Sequence, residues 1–132
     1  MNAANRLIEP ARGQPPTTID EDHLRRMTLG DEGLEREVLE IFARQIVLML
    51  QRMKGNDPAL AAVAAHTLKG SARGIGAWRV SQAAERLERA ATVEGRDAAT
   101  KAAIAELESA TLEVQAAIGL RLRHSPAGRS AD

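Results

Sequence analysis

The feature that most constrains the fold is a series of apolar stripes with the period of an α-helix. Apolar residues recur three and four positions apart in several long segments, and no segment alternates apolar and polar residues as a half-buried strand does. Alanine and leucine must supply most of the core, because Phe42 and Trp78 are the only aromatic residues. Such a core favours closely packed helices over a sheet. We therefore predict an all-α protein, an antiparallel up-down four-helix bundle with a short extra N-terminal helix.

Capping and helix-breaking residues predict where each helix begins and ends. The short first helix is predicted at about 20–28, with Asp20 as its N-cap. Leu24 and Met27 are three residues apart and are predicted to face inward. Gly30 is predicted to end this helix, because glycine is a poor helix former.

The long second helix is predicted to follow Asp31 as its N-cap, with Glu32 favourable in the first turn. The segment GNDP at 55–58 ends it, because glycine commonly follows a helix and Asp57 with Pro58 is suited to starting the next one. The residues predicted to face inward share the helical period; they are Leu34, Val38, Ile41, Phe42, Ile46, Met49, Leu50 and Met53.

Three more helices are predicted after this break. The third begins at Pro58, the fourth spans about 77–93, and the fifth follows EGRD at 94–97 and runs to about 122. Their inward residues are predicted as Leu60, Val63, Ala64, Thr67, Leu68 and Ser71, then Val80, Ala83, Ala84, Leu87 and Ala91, then Ile104, Leu107, Thr111, Val114, Ile118 and Leu122. Each stripe finds a partner within one bundle, so we expect a monomer.

The two ends of the chain differ from the predicted bundle. Residues 1–18 hold three of the five prolines and no sustained apolar period, so they are predicted to be a flexible N-terminal arm. Residues 124–132 are predicted to be a flexible C-terminal tail. The bundle itself is predicted at 19–123, which suits a single domain in a chain of 132 residues.

Charge and composition exclude several classes of protein. Lys plus Arg and Asp plus Glu both number 18, so the chain lacks the basic surplus of a general nucleic-acid binder. It has no cysteine, and therefore no disulfide or thiolate metal site. Neither a signal-peptide pattern nor a run of transmembrane length is present. We expect a soluble, cytoplasmic protein that binds neither nucleic acid nor membrane.

The segment HTLKGSARGIGA at 66–77 is unusual for a solvent-facing helix surface. His66 is predicted to point outward, with Lys69 and Gly70 as its neighbours one turn later. Glycine inside a helix costs about 1 kcal/mol relative to alanine, but it leaves the backbone open to close approach by another protein. Free imidazole is nucleophilic near neutral pH, and an ammonium one turn away can neutralise an anion held on it. Each residue alone is ordinary helix surface, and Gly74 with Gly76 is commonly just a helix stop.

HTLKGSARGIGA, followed by a helix containing AERLE at 84–88, resembles the histidine-containing phosphotransfer (HPt) domain family. The family signature is approximately His-x-Leu-Lys-Gly followed by small residues and Gly-Ala. The resemblance extends over about residues 19–122, because LEIFARQ on the preceding helix and the start at Ile19 and Asp20 also fit. Arg73 and Gly74 depart from the family pattern, which affects the expected local geometry and partner choice.

The resemblance implies a phosphorelay intermediate of two-component signalling. His66 would accept a phosphoryl group, Lys69 would be its charge partner, and Glu88 on the next helix would hydrogen-bond the imidazole. The surface that admits the partner would comprise Ala62, Gly70, Arg73 and Gly74.

The partner implied by the resemblance is a response-regulator receiver domain, a hybrid histidine kinase, or both. The chain would have no cofactor of its own, since Mg²⁺ would be held by the receiver. It would not be an autonomous enzyme, because it has no Gly-rich nucleotide loop and no acidic cluster for a metal.

Alternative functions belong to other classes of protein. A metal-dependent helical enzyme needs Glu-x-x-His pairs, and none occurs; His23 and His124 are interpreted as surface residues. A helical hairpin of a dimeric histidine kinase typically has an acidic residue after its histidine, whereas Thr67 follows here. A helical adaptor that docks a receiver or kinase without being phosphorylated stays open.

Overall fold

The chain is described by a computed structural model over residues 18–55, 57–91 and 97–123, and within these ranges it is all-helical, without strands. The prediction of an all-α protein is therefore confirmed. The five helices are α1 (Glu21–Met27), α2 (Glu32–Met53), α3 (Pro58–Ile75), α4 (Trp78–Ala91) and α5 (Asp97–Arg123). The predicted tail at 124–132 and the predicted arm at 1–18, except for Thr18, lie outside the described residues, as does His124.

The predicted helix starts are confirmed by their hydrogen bonds. Asp20, Asp31 and Asp57 each occupy the N-cap position, and each side chain accepts a hydrogen bond from a backbone N–H in the first turn of α1, α2 or α3. Pro58 stands in the first turn of α3, where its missing N–H leaves no intrahelical bond unmade. Local side-chain chemistry thus sets three helix starts.

The four longer helices pack in a closed order. α2 contacts α3, α3 contacts α4, α4 contacts α5, and α5 contacts α2, while the short α1 packs on α3. Ion pairs join Arg79 to Glu113 and Arg86 to Glu106 between α4 and α5. Residue numbers rise along α4 as they fall along α5, so these two helices run in opposite directions.

The inward face of α3 differs from the predicted one. Leu60 and Val63 were expected in the core, but they are 55% and 64% exposed, and Thr67 is exposed as well. The face that packs inward is made mainly of small residues spaced four and three apart; it comprises Ala61, Ala64, Ala65, Leu68, Ala72 and Ile75. Because α3 contacts α1, α2 and α4, alanines on this face allow all three helices to approach its backbone closely.

Smaller corrections apply to α1 and α2. Met27 was predicted to face inward but is 58% exposed, because α1 buries Leu24 and the following Thr28 instead. In α2, Leu34 and Ile41 are exposed. The buried α2 residues are spaced four and three apart and include one leucine that the prediction missed; they are Glu35, Leu39, Phe42, Ile46, Met49 and Met53.

Several residues predicted to face inward lie at the edge of the core. Each is half-buried instead of fully enclosed. They are Val38, Leu50, Ser71, Ala91, Ile104 and Leu122. The remaining predicted residues of α4 and α5 are buried, and alanines at Ala103 and Ala110 join them.

The N-terminal junction, as we call the contact of Asp20 and His23 with Gly76 and Trp78, fastens α1 to the turn between α3 and α4. The Asp20 backbone N–H donates to the Gly76 carbonyl (3.0 Å), and the Trp78 indole N–H donates to the Asp20 carboxylate (3.0 Å). The His23 ring lies edge-on to Trp78, with centroids 4.8 Å apart. His23, predicted as a surface residue, is therefore half-buried.

Gly76 is required at the junction by its backbone conformation. It ends α3 in the left-handed region with φ +83°, and a Cβ placed there would lie 2.9 Å from the Asp20 Cβ. Burial raises the pKa of Asp20, but the hydrogen bonds from Trp78 and from the His23 backbone, with nearby positive charge, outweigh it and hold the pKa below its ordinary value.

Candidate functional site

His66 lies in the middle of α3 and projects from the surface. Its side chain is 68% exposed, which confirms the outward orientation predicted from the helical period. The opposite face of α3 at this level is Ala64, Ala65 and Leu68, all buried. The imidazole is thus carried on a rigid helix that the core fixes in place, while the ring itself is accessible to a partner.

A carboxylate on the neighbouring helix connects His66 with Lys69. Nδ1 of His66 lies 2.8 Å from one oxygen of Glu88, and Nζ of Lys69 donates to the other oxygen at 2.6 Å. Lys69 is only 14% exposed on its side chain, so its ammonium lies between α3 and α4 and not out in solvent. The structure thus brings together the three residues predicted as the chemical centre of the site.

The charge of Glu88 determines which nitrogen of His66 carries the proton. The hydrogen bond from Lys69, joined by a weaker one from His66, holds the pKa of Glu88 below its ordinary value, although burial acts in the opposite direction. An ionised carboxylate can only accept hydrogen bonds. Nδ1 of His66 must therefore be the donor, and in the neutral imidazole the unprotonated nitrogen with its lone pair is Nε2.

The two helical glycines beside His66 leave open space. A Cβ placed on Gly70 or on Gly74 would meet no described atom outside its own turn within 4 Å. Gly70 is exposed and Gly74 is half-buried. Nothing in the packing of the described residues requires glycine at either position, so both positions are free of the constraint that operates at Gly76.

The remaining predicted docking residues, Ala62 and Arg73, lie on α3 before and after His66. Ala62, one turn before His66, is half-buried. Arg73, two turns after His66, has a side chain that is 56% exposed and lies 3.6 Å from Glu85 of α4. The backbone carbonyl of Arg73 accepts a hydrogen bond from Nε2 of His23 at 2.9 Å, so the N-terminal junction reaches this end of the surface.

Sequence reasoning missed two apolar residues of the same surface, Leu60 and Val63. Val63 is three residues before His66 and is therefore its neighbour on the helix surface, and Leu60 lies one turn further. Both were assigned to the core because they are the larger apolar residues of their turns. The sequence carries a signal for the observed face, since Ala61, Ala65, Leu68, Ala72 and Ile75 follow one another at spacings of four and three.

The described residues contain no group of three or more His, Asp or Glu side chains arranged to hold a metal ion. None of the five described helices combines the length and apolarity needed to cross a membrane.

The chemistry that the site itself can perform is nucleophilic attack by an exposed imidazole whose second nitrogen is bonded to a carboxylate.

Comparisons with known proteins identify a family and a shared fold. The model of the Hpt domain family matches residues 34–117. A solved structure of a rice protein, provisionally designated a histidine-containing phosphotransfer protein, superposes with a TM-score of 0.69 at 18% sequence identity. The match covers 85% of this chain and 84% of the rice chain, and it shows that the two share a fold. No curated protein sequence matches the chain.

Proposed function

Because the chain belongs to the Hpt domain family, we propose that it is a phosphorelay intermediate that accepts a phosphoryl group on His66 and exchanges it with the aspartate of receiver domains. The family assigns the chain a phosphotransfer role in two-component signalling. The observation that carries the finer proposal is the exposed imidazole of His66, whose Nδ1 is bonded to Glu88 and whose Nε2 faces away.

The proposed step is an in-line displacement at phosphorus. The lone pair of Nε2 forms the N–P bond, the bond between phosphorus and the aspartyl oxygen breaks, and its electron pair leaves with the aspartate carboxylate. The proton on Nδ1 stays in place, so the phosphorylated ring carries positive charge. Glu88 accepts the hydrogen bond from that N–H and stabilises the charge as it develops. Return of the phosphoryl group reverses each of these changes.

Lys69 has a supporting part in the proposal. Its ammonium is bound to Glu88, one helical turn from His66, and so contributes positive charge close to the incoming phosphoryl group. Phosphoryl transfer depends on positioning and on neutralising charge, and a point charge on a flexible stem suits the second task. Any Mg²⁺ in the reaction would be bound by the partner's acidic residues.

The partner-facing surface proposed here comprises Ala62, Gly70, Arg73 and Gly74. We add Leu60 and Val63 to it because both side chains are exposed. Exposed apolar side chains at one end can be buried by a partner. The bare backbone at Gly70 lets the partner's loops approach His66. Glycine at this position therefore serves access to the nucleophile.

Other parts of the proposal concern the molecule as a whole. We propose an up-down antiparallel order for all four long helices, supported between α2 and α5 by the contacts of Arg36 with Leu122 and of Lys54 with Glu108. We also propose a cytoplasmic monomer that acts as a carrier without autonomous catalysis. Its partners would be a receiver domain, a hybrid histidine kinase, or both.

The decisive experiment is transfer from phosphorylated receiver domains of the same genome. The full chain is incubated with each ³²P-labelled receiver, and the label is tested for the acid lability and alkali stability of phosphohistidine. Mass spectrometry should locate the phosphoryl group on His66. Receiver binding without any transfer would contradict the proposal and favour the adaptor function instead.

A further inference from the structure

The charged residues of α3 are both basic. The helix contains Lys69 and Arg73 beside His66 and has no acidic residue, although the whole chain is formally neutral. Lys69 is occupied by Glu88 and is largely buried. Arg73 is the cation of this helix that remains at the surface, on the face that carries His66 and about 10 Å further along the axis.

Arg73 is paired more loosely than two exposed arginines of the neighbouring helix α4, Arg79 and Arg86. Its guanidinium lies 3.6 Å from Glu85, which is beyond hydrogen-bond distance, and the side chains of Arg73 and Glu85 are 56% and 41% exposed. By contrast, Arg79 and Arg86 donate hydrogen bonds directly to glutamates of α5. An exposed pair without a hydrogen bond contributes little to stability. The fold therefore gains little from the charge of Arg73.

The backbone under Arg73 is held firmly, whereas its side chain is not. Nε2 of His23 donates to the Arg73 carbonyl, so the junction fixes where the side chain starts. Gly74 follows and carries no side chain that could hinder a partner. This combination presents a guanidinium at a set distance from His66, and guanidinium pairs with carboxylate through two parallel hydrogen bonds.

We propose that Arg73 determines partner specificity by binding an acidic side chain at the rim of the receiver domain's interface, about 10 Å from the aspartate that exchanges phosphate with His66. In the free protein the guanidinium of Arg73 is paired with Glu85, and this ion pair breaks when the receiver docks. The inference rests on the proposed function. It makes Arg73 a recognition residue, and the chemistry at His66 proceeds without it.

Opposite effects of two substitutions test the inference. Arg73→Gln should lower kcat/KM for transfer from the receiver by about three- to tenfold, mainly through KM, because a charge at the rim of an interface acts on association. Glu85→Gln should leave the rate unchanged or raise it, since it frees the guanidinium. Arg73→Lys should restore part of the loss. Arg79→Gln is the matched control, an exposed arginine on α4 paired with α5, and should transfer normally.

Labelling by phosphoramidate, a small donor that needs no docking, distinguishes the possible failures. Arg73→Gln should take label from phosphoramidate as fast as wild type. Equal losses in Arg73→Gln and Glu85→Gln would show that the ion pair is merely structural and overturn the inference, as would a loss with phosphoramidate. A wild-type chain that takes no label from either source would refute the proposed function as well. Normal wild-type labelling with unimpaired Arg73→Gln would refute the specificity role alone.

Discussion

Two histidines of this chain each bond a neighbouring segment through one ring nitrogen, yet their surroundings give them different capacities. His66 is exposed and its bonded partner is the carboxylate of Glu88, which can stabilise a positive ring. His23 is half-buried against Trp78 and its partner is the neutral backbone carbonyl of Arg73. The first arrangement leaves a nucleophilic nitrogen facing solvent, and the second fastens α1 to the rest of the molecule. The partner and the exposure, not the residue type, decide the role.

The largest effect is expected when each of these two histidines is replaced by glutamine in turn. His66→Gln should abolish phosphate acceptance, because the amide has no nucleophilic lone pair, and should change stability by less than about 0.5 kcal/mol at an exposed site. His23→Gln should keep full acceptance and lose about 1 kcal/mol of stability with its ring contact to Trp78. Receiver-dependent labelling and thermal melts measure both quantities. Phosphohistidine that persists in His66→Gln would show that His66 is not the phosphate acceptor.

The sequence alone predicted those features around the two histidines that depend on local chemistry. Asp20, Asp31 and Asp57 were identifiable as caps because an N-cap bonds its own first turn. His66 was predicted as exposed from the helical period. The Glu88 contact joins residues 22 positions apart, and it could be expected only from the family resemblance.

Sequence predicted only part of the inward face of α3, since Ala64 and Leu68 are buried as expected but Leu60 and Val63 are exposed. Leu60 and Val63 are larger than the alanines that displaced them, and apolar size alone favours burying them. Three neighbouring helices pack against α3, and small residues are favoured on the inward face because they let helices approach each other closely. The N-terminal junction was missed for a related reason, since the contact of Asp20 with Trp78 depends on how the chain returns to its own start.

The second largest effect is a difference in stability between substitutions of two glycines, Gly76 at the N-terminal junction and Gly74 near His66. Gly76→Ala should destabilise the fold by about 2–3 kcal/mol, because alanine is strained at positive φ and its Cβ would lie 2.9 Å from that of Asp20. Gly74→Ala is the matched control in the last turn of the same helix, and it should be neutral or stabilising by up to about 1 kcal/mol. Urea denaturation of both variants measures the difference. Equal stability of the two would mean that the junction tolerates a side chain at Gly76.

A smaller effect, on rate and not on stability, is expected at Lys69. Lys69→Ala should slow transfer by on the order of tenfold without eliminating it, since the nucleophile remains while charge near the phosphoryl group is lost. Glu88 would then keep its bond to His66 but lose the one from Lys69, so the pKa of Glu88 should rise toward its ordinary value. Stopped-flow transfer kinetics with the receiver check the rate. A variant as fast as wild type would show that Lys69 only packs between α3 and α4.

The smallest effect is expected at Asp20 and depends on pH. Both oxygens of this carboxylate are used, one by the His23 backbone N–H and the other by the Trp78 indole. Asn has a single acceptor oxygen, so Asp20→Asn should cost about 1 kcal/mol at pH 7. At Asp31, one oxygen caps α2 by accepting from Leu34, and Asp31→Asn should be nearly neutral because Asn caps as well as Asp does.

The sign of the pH dependence at Asp20 follows from its lowered pKa in the folded state. A carboxylate of this kind stabilises the fold above the unfolded pKa of about 3.9, and that stability disappears as pH falls through the folded pKa. Wild type and Asp20→Asn should therefore differ at pH 7 and converge toward pH 3. Urea denaturation of both proteins across this range measures the difference. A constant difference at every pH would mean that the charge of Asp20 does not support the junction, and that its second oxygen serves only as a neutral acceptor for Trp78.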